Sequence, residues 1–289
     1  MTHLFDRFSV LFPEFKEINE QNIIDDSKKI VGWNSVVLTK DNEAIAAGTH
    51  QSKETSRRIA IAECLERIIV KKLIKNNING FCFEDIPSSS GCAVGFENHT
   101  ARGRAIYEGI ERWIWSQWID DGKKINQIEL DLTKLSPLAK FYFNKFDKVI
   151  FFRKTFDFDS KFLVGEKLQF GAVLGIKDDG IYPGSRVASV NEDIWTHGFI
   201  EAWRNYVIAN LNQSGHKDSI ILDRINFFSK NKEFALDQIE KSKNENWQSP
   251  RIRIIKPYVL EEFDPFYFWR SLCHDFIPWD KGDSKRFVY

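Results

Sequence analysis

The chain lacks an excess of either charge: its 41 Lys and Arg residues balance 41 Asp and Glu, for a formal net charge of zero. Proteins that hold nucleic acid mainly through its phosphates carry a basic surplus, so no nucleic acid is expected as a partner. Long apolar runs are also missing. No stretch reaches the ~18 residues of a bilayer span, so no membrane span is expected. The opening MTHLFDRFSV has no basic segment leading into an apolar stretch. A signal peptide is therefore not expected, and the expected compartment is the cytoplasm. Cysteine is sparse. Cys64, Cys82, Cys92 and Cys273 form no CxxC pair and read as free thiols of a reducing compartment. The histidines His3, His50, His99, His197, His216 and His274 show no HxxxH or HExxH spacing, which removes the usual zinc signatures. GxSxG, GxGxxG and GxxxxGK[ST] are absent as well, so hydrolase, Rossmann and P-loop readings have no local support.

What is present is an ordinary globular composition, 43% hydrophobic and 28% charged over 289 residues, enough for a substantial core. Residues 33–47 read as a hairpin about Lys40-Asp41-Asn42-Glu43. A polar stretch to Ser56 precedes a helix over Ile59–Leu73. A short strand is expected at Phe81–Ile86, then a loop from Pro87 to Gly95. A second helix runs from Ala101 to Trp118, with Thr100 as its cap. Strands follow at Lys148–Phe158 and Leu168–Ile176, a turn at Asp178–Gly180, and a short strand or loop at Ser185–Val190. Asn191 or Asp193 caps a third helix, Ile194–Leu211. Residues 229–247 suggest an exposed amphipathic helix, and Ile252–Val259 a strand. No linker marks a domain boundary. Alternating strands and helices give an α/β or α+β class.

One local pattern occurs twice. Ala60-Ile61-Ala62-Glu63-Cys64-Leu65-Glu66-Arg67 is matched by Ala105-Ile106-Tyr107-Glu108-Gly109-Ile110-Glu111-Arg112. A looser third copy is Phe199-Ile200-Glu201-Ala202-Trp203-Arg204. Positions i, i+3 and i+4 of a helix share a face, so each Glu-x-x-Glu-Arg set projects together. The surrounding residues are apolar nearly all round, which predicts buried helices. A buried charge must be paired or must hold a cation. The arginine can pair with the glutamate four residues before it, which leaves one carboxylate over on each helix. Mg²⁺ usually takes one or two carboxylates together with substrate phosphates. The bland reading is an ordinary Glu–Arg helix pair. The pattern by itself leaves a Mg-nucleotide site and a bare metal site both open. Trp113, Trp115 and Trp118 on the second helix read either as core or as a peptide-binding face.

These residues resemble the YcaO family of ATP-dependent peptide-modifying enzymes. The first match is Gly48-x3-Ser52-x7-Ala60-x2-Glu63-x2-Glu66-Arg67. The second is Ser89-Ser90-Gly91-Cys92-Ala93-x-Gly95 followed by Ala101-x6-Glu108-x2-Glu111-Arg112. The third is Gly184-Ser185-Arg186-Val187-Ala188-Ser189, then Glu201-Ala202 on a helix. His274 to Trp279 loosely resembles the family's ending. The resemblance implies mixed sheets packed by helices around a central Mg-ATP site. It implies one domain over 1–289, with core motifs over about 45–210 and a completing segment over about 250–289.

It implies Glu63, Glu66, Glu108, Glu111 and Glu201 as metal ligands. Arg67 and Arg112 would orient the carboxylates or touch phosphate, and Ser89, Ser90, Gly91, Ala93 and Gly95 would line the nucleotide. His197, one turn before Glu201, stands where the family often has arginine and could replace it in binding the nucleotide; His197 and Glu201 are also the catalytic candidates. The implied cofactors are ATP and Mg²⁺. The implied reaction is phosphorylation of a peptide backbone amide oxygen, as in azoline, thioamide or amidine formation on a ribosomally made peptide. A precursor peptide and a leader-binding partner protein are the implied partners, and a homodimer is compatible. Thr49, Ile59, Thr100 and His197 depart from the family's pattern, so the alternative expectation is a catalytically degenerate subunit that supports a peptide-modifying complex.

Overall fold

The computed structural model describes residues 2–76, 88–160, 163–211, 220–258 and 263–287. The strand expected at Phe81–Ile86, with Cys82 and His216, lies outside them. The chain forms two compact units: Met1–Ile106 with Ile255–Ser271, and Tyr107–Ile254 with Leu272–Tyr289.

In the first unit, α1 (Thr2–Leu11) precedes an antiparallel sheet of β1 (Phe15–Ile24), β2 (Ile30–Thr39) and β3 (Ala44–His50), in that order. The expected hairpin is β2–β3. Its turn is closed by Asn42 at φ 63, a conformation that asparagine tolerates better than most residues. The helix α2 (Lys53–Lys75) packs on β2 and β3. It begins six residues before the expected start because the Ser52 hydroxyl accepts from the Thr55 N–H at 3.3 Å and caps the first turn. Its inner face (Ala60, Ile61, Cys64, Leu65, Ile69, Leu73) lies in the core with Val37 and Phe8. Arg58, Arg67 and Lys71 are exposed on the other side, so the helix is amphipathic rather than apolar all round. A second sheet joins β4 (Cys92–Gly95), β10 (Tyr267–Cys273) and β9 (Ile252–Pro257) in that order. The helix α3 (Asn98–Ile119) starts before Thr100. Thr100 is therefore not its cap; its hydroxyl donates to Glu97 at 3.2 Å within the first turn.

The second unit holds β5 (Asn126–Ile128), α4 (Pro137–Phe143), β6 (Lys148–Ser160), β7 (Leu163–Lys177) and β8 (Gly180–Ser189). After these come α5 (Trp195–Leu211), α6 (Ile220–Phe228) and α7 (Lys232–Lys241). The helix expected at 229–247 is the shorter α7, preceded by α6, which the sequence reading does not include. The strands form one antiparallel sheet ordered β5-β6-β7-β8. Side chains alternate between its faces. Phe151 packs on Trp195 and Phe199 of α5, while its neighbour Phe152 packs on Trp118 of α3. Phe170 meets Trp115 and Trp118, whereas a Cβ on the next residue, Gly171, would strike Ile194 and Trp195. Within this unit the sheet is thus covered by α5 on one face and by α3 on the other. Trp113, Trp115 and Trp118 are core residues, at most 4% exposed.

Candidate functional site

Among the described residues, each sheet ends on edge strands whose outer backbone groups have no further strand to pair with. Such groups need side-chain partners or water. In the first unit β3 is one such edge, and α2 covers it. Glu63 Oε2 accepts from the Ala47 N–H at 3.4 Å, and Arg67 donates to the Ile45 carbonyl at 2.7 Å. Glu63 and Arg67 also pair with each other at 2.6 Å, half-exposed. The helix lies this close because Gly48 has no side chain: a Cβ there would stand 2.1 Å from the Ser56 carbonyl oxygen and 2.6 Å from the Ala60 nitrogen. Glu66 lies on the same helix, partly buried.

In the second unit the edge is β8, and two carboxylates reach it from opposite faces of the sheet. From α3, Glu111 accepts from the Ser185 hydroxyl at 2.9 Å and from the Val187 N–H at 3.0 Å. From α5, Glu201 accepts from the Ser185 N–H at 2.8 Å through Oε2. Its other oxygen accepts no hydrogen bond from the described residues. The helix α5 is set by Asp193, which accepts from the N–H groups of Trp195 (2.8 Å) and Thr196 (3.2 Å). Its approach to β8 depends on Gly184, whose Cβ would stand 2.0 Å from the Gly198 carbonyl oxygen. Pro183 presents its carbonyl to the buried Asn205 side chain at 2.8 Å.

The electrostatics of the two edges differ. Burial pushes the Glu201 carboxyl above the ordinary carboxylate range, and the nearby negative charge of Glu111 pushes it further. Arg112, the Ser185 N–H and Arg204 oppose the shift without reversing it. Glu108 and Arg112 stand 4.0 Å apart on α3. Two carboxylates held on one serine, Glu201 raised by burial and by the charge of Glu111, form a donor set suited to a hard cation. Among the described residues, no group of three or more His, Cys, Asp and Glu side chains could hold a metal ion by itself.

The remaining expected site residues fall as follows. Ser89 is exposed at the tip of a turn closed by Cys92 N–H donating to its carbonyl at 2.9 Å. Ser90 is buried, and its carbonyl accepts from Arg270 at 3.3 Å. Gly91 has φ 69, the left-handed region where glycine is favoured. Ala93 and Gly95 are buried in β4, where Ala93 pairs with Trp269 and a Cβ on Gly95 would meet Ala101 at 3.0 Å. His197 is exposed on α5. The structure thus brings together Glu111 and Glu201, with Arg112 near, while Glu63, Glu66 and Arg67 belong to the other unit. The sequence reading quotes Ser185 and Val187 in the third motif without giving them a role, because a strand's outer N–H groups carry no side-chain signature, and it does not single out Asn205.

No family model and no curated protein matches the sequence. Solved structures do match. YcaO from Methanopyrus kandleri, bound with AMPPCP and Mg²⁺, superposes with a TM-score of 0.56 at 11% identity, covering 93% of this chain and 88% of that one. A chain of the E. coli microcin synthetase McbBCD complex with pro-MccB17 bound gives 0.56 at 11% identity, covering 89% and 86%. A heterocyclase in complex with substrate and cofactor gives 0.53 at 8% identity, covering 94% of this chain and 52% of the heterocyclase. At these identities the likeness is one of fold. The protein has the mixed α/β architecture, sheets packed by helices, of these structures, YcaO among them.

Proposed function

We propose that the protein is a YcaO-type enzyme that uses Mg-ATP to phosphorylate a backbone amide oxygen of a ribosomally made precursor peptide, with azoline, thioamide or amidine formation as the outcome. The observation that carries this reading is the convergence of Glu111 and Glu201 on Ser185 at the edge of β8. It occurs in a fold whose similar structures include one bound with AMPPCP and Mg²⁺. Bound Mg-ATP would supply an electrophilic phosphoryl group and neutralise charge as it transfers. Glu111 and Glu201 would hold the cation: each oxygen has more than one lone pair, so the bonds from Ser185 and Val187 leave acceptor capacity on both carboxylates. Arg112 and Arg204, whose charges already favour the ionised form of Glu201, would help to orient the carboxylates. Glu108, on the same helix as Glu111, would be a further ligand in this unit; in the first unit, Glu63 and Glu66 would bind metal and the Ser89–Gly95 segment nucleotide. The similarity to a complex holding pro-MccB17 favours a peptide as substrate. We further propose a separate leader-binding partner and cytoplasmic action.

One observation favours a second reading. Glu63 is already neutralised by Arg67 at 2.6 Å, as it would be in a catalytically degenerate subunit that supports a peptide-modifying complex. Calorimetric titration with AMPPCP and Mg²⁺ tests the first reading. Saturable binding is expected, weakened at least ~10-fold by Glu111→Gln with Glu201→Gln, the scale of a lost charge-assisted ligand. A folded wild-type protein that binds no nucleotide would overturn it. Peptide-dependent ADP release then separates an enzyme from a degenerate subunit that still binds nucleotide.

A further inference from the structure

Neither Trp115 nor Ser185 belongs to the carboxylate and arginine set above, yet both sit behind it. Ser185 is 1% exposed and Trp115 is 4% exposed, so water cannot serve their polar atoms. An indole N–H can only donate, whereas a hydroxyl has one proton and two lone pairs. Trp115 Nε1–H donates to the Ser185 hydroxyl oxygen at 2.8 Å. That fixes the hydroxyl rotor, and the hydroxyl proton is directed to Glu111 at 2.9 Å. The main-chain N–H of the same serine goes to Glu201 at 2.8 Å. One residue therefore sets the position of both carboxylates, through its side chain for one and through its backbone for the other. The indole has little freedom to move: it stacks on Trp118 with centroids 5.1 Å apart and meets the rings of Phe170 and Phe287 edge-on at 6.0 and 6.2 Å.

We infer that Trp115 and Ser185 are a positioning pair that fixes the orientation of Glu111 against Glu201 and thereby sets Mg-nucleotide affinity. The inference rests on the proposed nucleotide site for its consequence, though not for the hydrogen-bond chain itself. Groups that orient ligands in this way typically account for about 10–100-fold in affinity. A chain of hydrogen bonds also polarises each member, so a change at Glu111 should be felt at the indole.

The test uses the full-length protein labelled with 5-fluorotryptophan. Trp115→Phe assigns the Trp115 fluorine resonance. In nucleotide-free protein, Glu111→Gln is expected to move that resonance. A resonance that stays in place overturns the relay without reference to nucleotide. Titration with Mg²⁺ and AMPPCP is expected to shift it in the wild type and not in Ser185→Ala. Calorimetry is expected to show AMPPCP binding weakened about 10-fold in Ser185→Ala and about 3-fold in Trp115→Phe, with Ser185→Thr, which keeps the hydroxyl, near wild type. A purely structural role predicts lower melting temperature without loss of affinity in the folded fraction, and that outcome overturns the inference. Wild-type binding with unchanged Ser185→Ala affinity overturns this inference alone. Absence of wild-type binding overturns the proposed function and, with it, the affinity role.

Discussion

Two hairpin–helix segments, β2–β3–α2 in the first unit and β7–β8–α5 in the second, solve the same packing problem and end with different chemistry. In each, a glycine of the last strand lets the helix backbone approach. Gly48 meets Ser56 and Ala60, and Gly184 meets Gly198 and Ala202, the same four-residue step along the helix. In each, the residue three past that alanine binds the residue just before the glycine. Glu63 accepts from the Ala47 N–H, and Asn205 donates to the Pro183 carbonyl. The polarity inverts because proline has no N–H to give, so the side chain opposite must be a donor. By this correspondence Glu201 occupies the place of Ile59, not that of Glu63. The Glu-x-x-Glu-Arg likeness that set Glu201 beside Glu63 and Glu108 in the sequence therefore equates positions that the fold keeps apart. The difference in charge follows. At the first edge the carboxylate of Glu63 is matched by Arg67. The second holds two, Glu111 and Glu201, on one serine.

The comparison breaks first at its glycines. Gly48→Ala and Gly184→Ala each place a Cβ within about 2 Å of backbone that no rotamer change can move. Each is expected to lower stability by about 3 kcal/mol, the upper end of ordinary overpacking, with costs within about 1 kcal/mol of each other by urea unfolding. A large cost at one glycine and none at the other would show that the two segments are not equivalent.

How far this was legible in the sequence depended on whether the signal was local. The β2–β3 hairpin showed itself through Lys40–Glu43, and the turn after β7 through Asp178-Asp179-Gly180, with Asp178 at φ 54. The α5 cap at Asp193 was one of two candidates. By contrast α1 and β1 went unread. FKEINEQNII is polar because β1 is an edge strand with both faces partly wet, so the alternation that marks a strand is weak. In α4 the signal exists, Ser136 capping at Ala139 N–H with Pro137 in the first turn, but its polar surroundings mask it. Glu111 and Glu201 were readable as candidates because carboxylates in apolar helices stand out. Their meeting point was not, because it is made of the Ser185 and Val187 main chain and arises only when three elements pack.

Titration sharpens the contrast next. In the first unit, Glu20 is held by Arg57 through two hydrogen bonds, 2.9 and 2.8 Å, with Lys53 at 3.2 Å. The Arg57 bonds hold its carboxyl below the ordinary value against the opposing effect of burial, with Lys53 adding to them. A lowered folded value means stability that is present above the ordinary carboxylate pKa and is lost as pH falls through the folded one. Glu201 has the opposite sign. With its folded value raised by burial and by Glu111, the folded state holds the proton more tightly than the unfolded state does. Stability therefore falls as pH rises from the ordinary carboxylate value through the raised one. Glu20→Gln is expected to lose up to about 1 kcal/mol at neutral pH and nothing in acid. Glu201→Gln, whose amide oxygen can still accept from the Ser185 N–H, is expected to be more stable than wild type at neutral pH, the gain vanishing in acid. Urea midpoints across pH read both. A loss at neutral pH in Glu201→Gln would mean that Arg112 and Arg204 outweigh Glu111.

The smallest effect tests whether glycine is placed for contact or only tolerated. Gly103 lies within α3, and a Cβ there would meet nothing within 4 Å, unlike those at Gly48 and Gly184. Its backbone is helical, a conformation alanine adopts without strain, so Gly103→Ala removes unfolded-state freedom and adds no clash. The expected result is a gain of about 0.5–1 kcal/mol in urea unfolding. Because Gly103 precedes Glu108 by more than one turn, the same substitution should leave AMPPCP affinity where it was. Stabilisation with unchanged affinity would mark this glycine as neutral to both packing and site. Destabilisation would mean that α3 needs local freedom at Gly103, and the division between contact glycines and tolerated ones would then have to be redrawn.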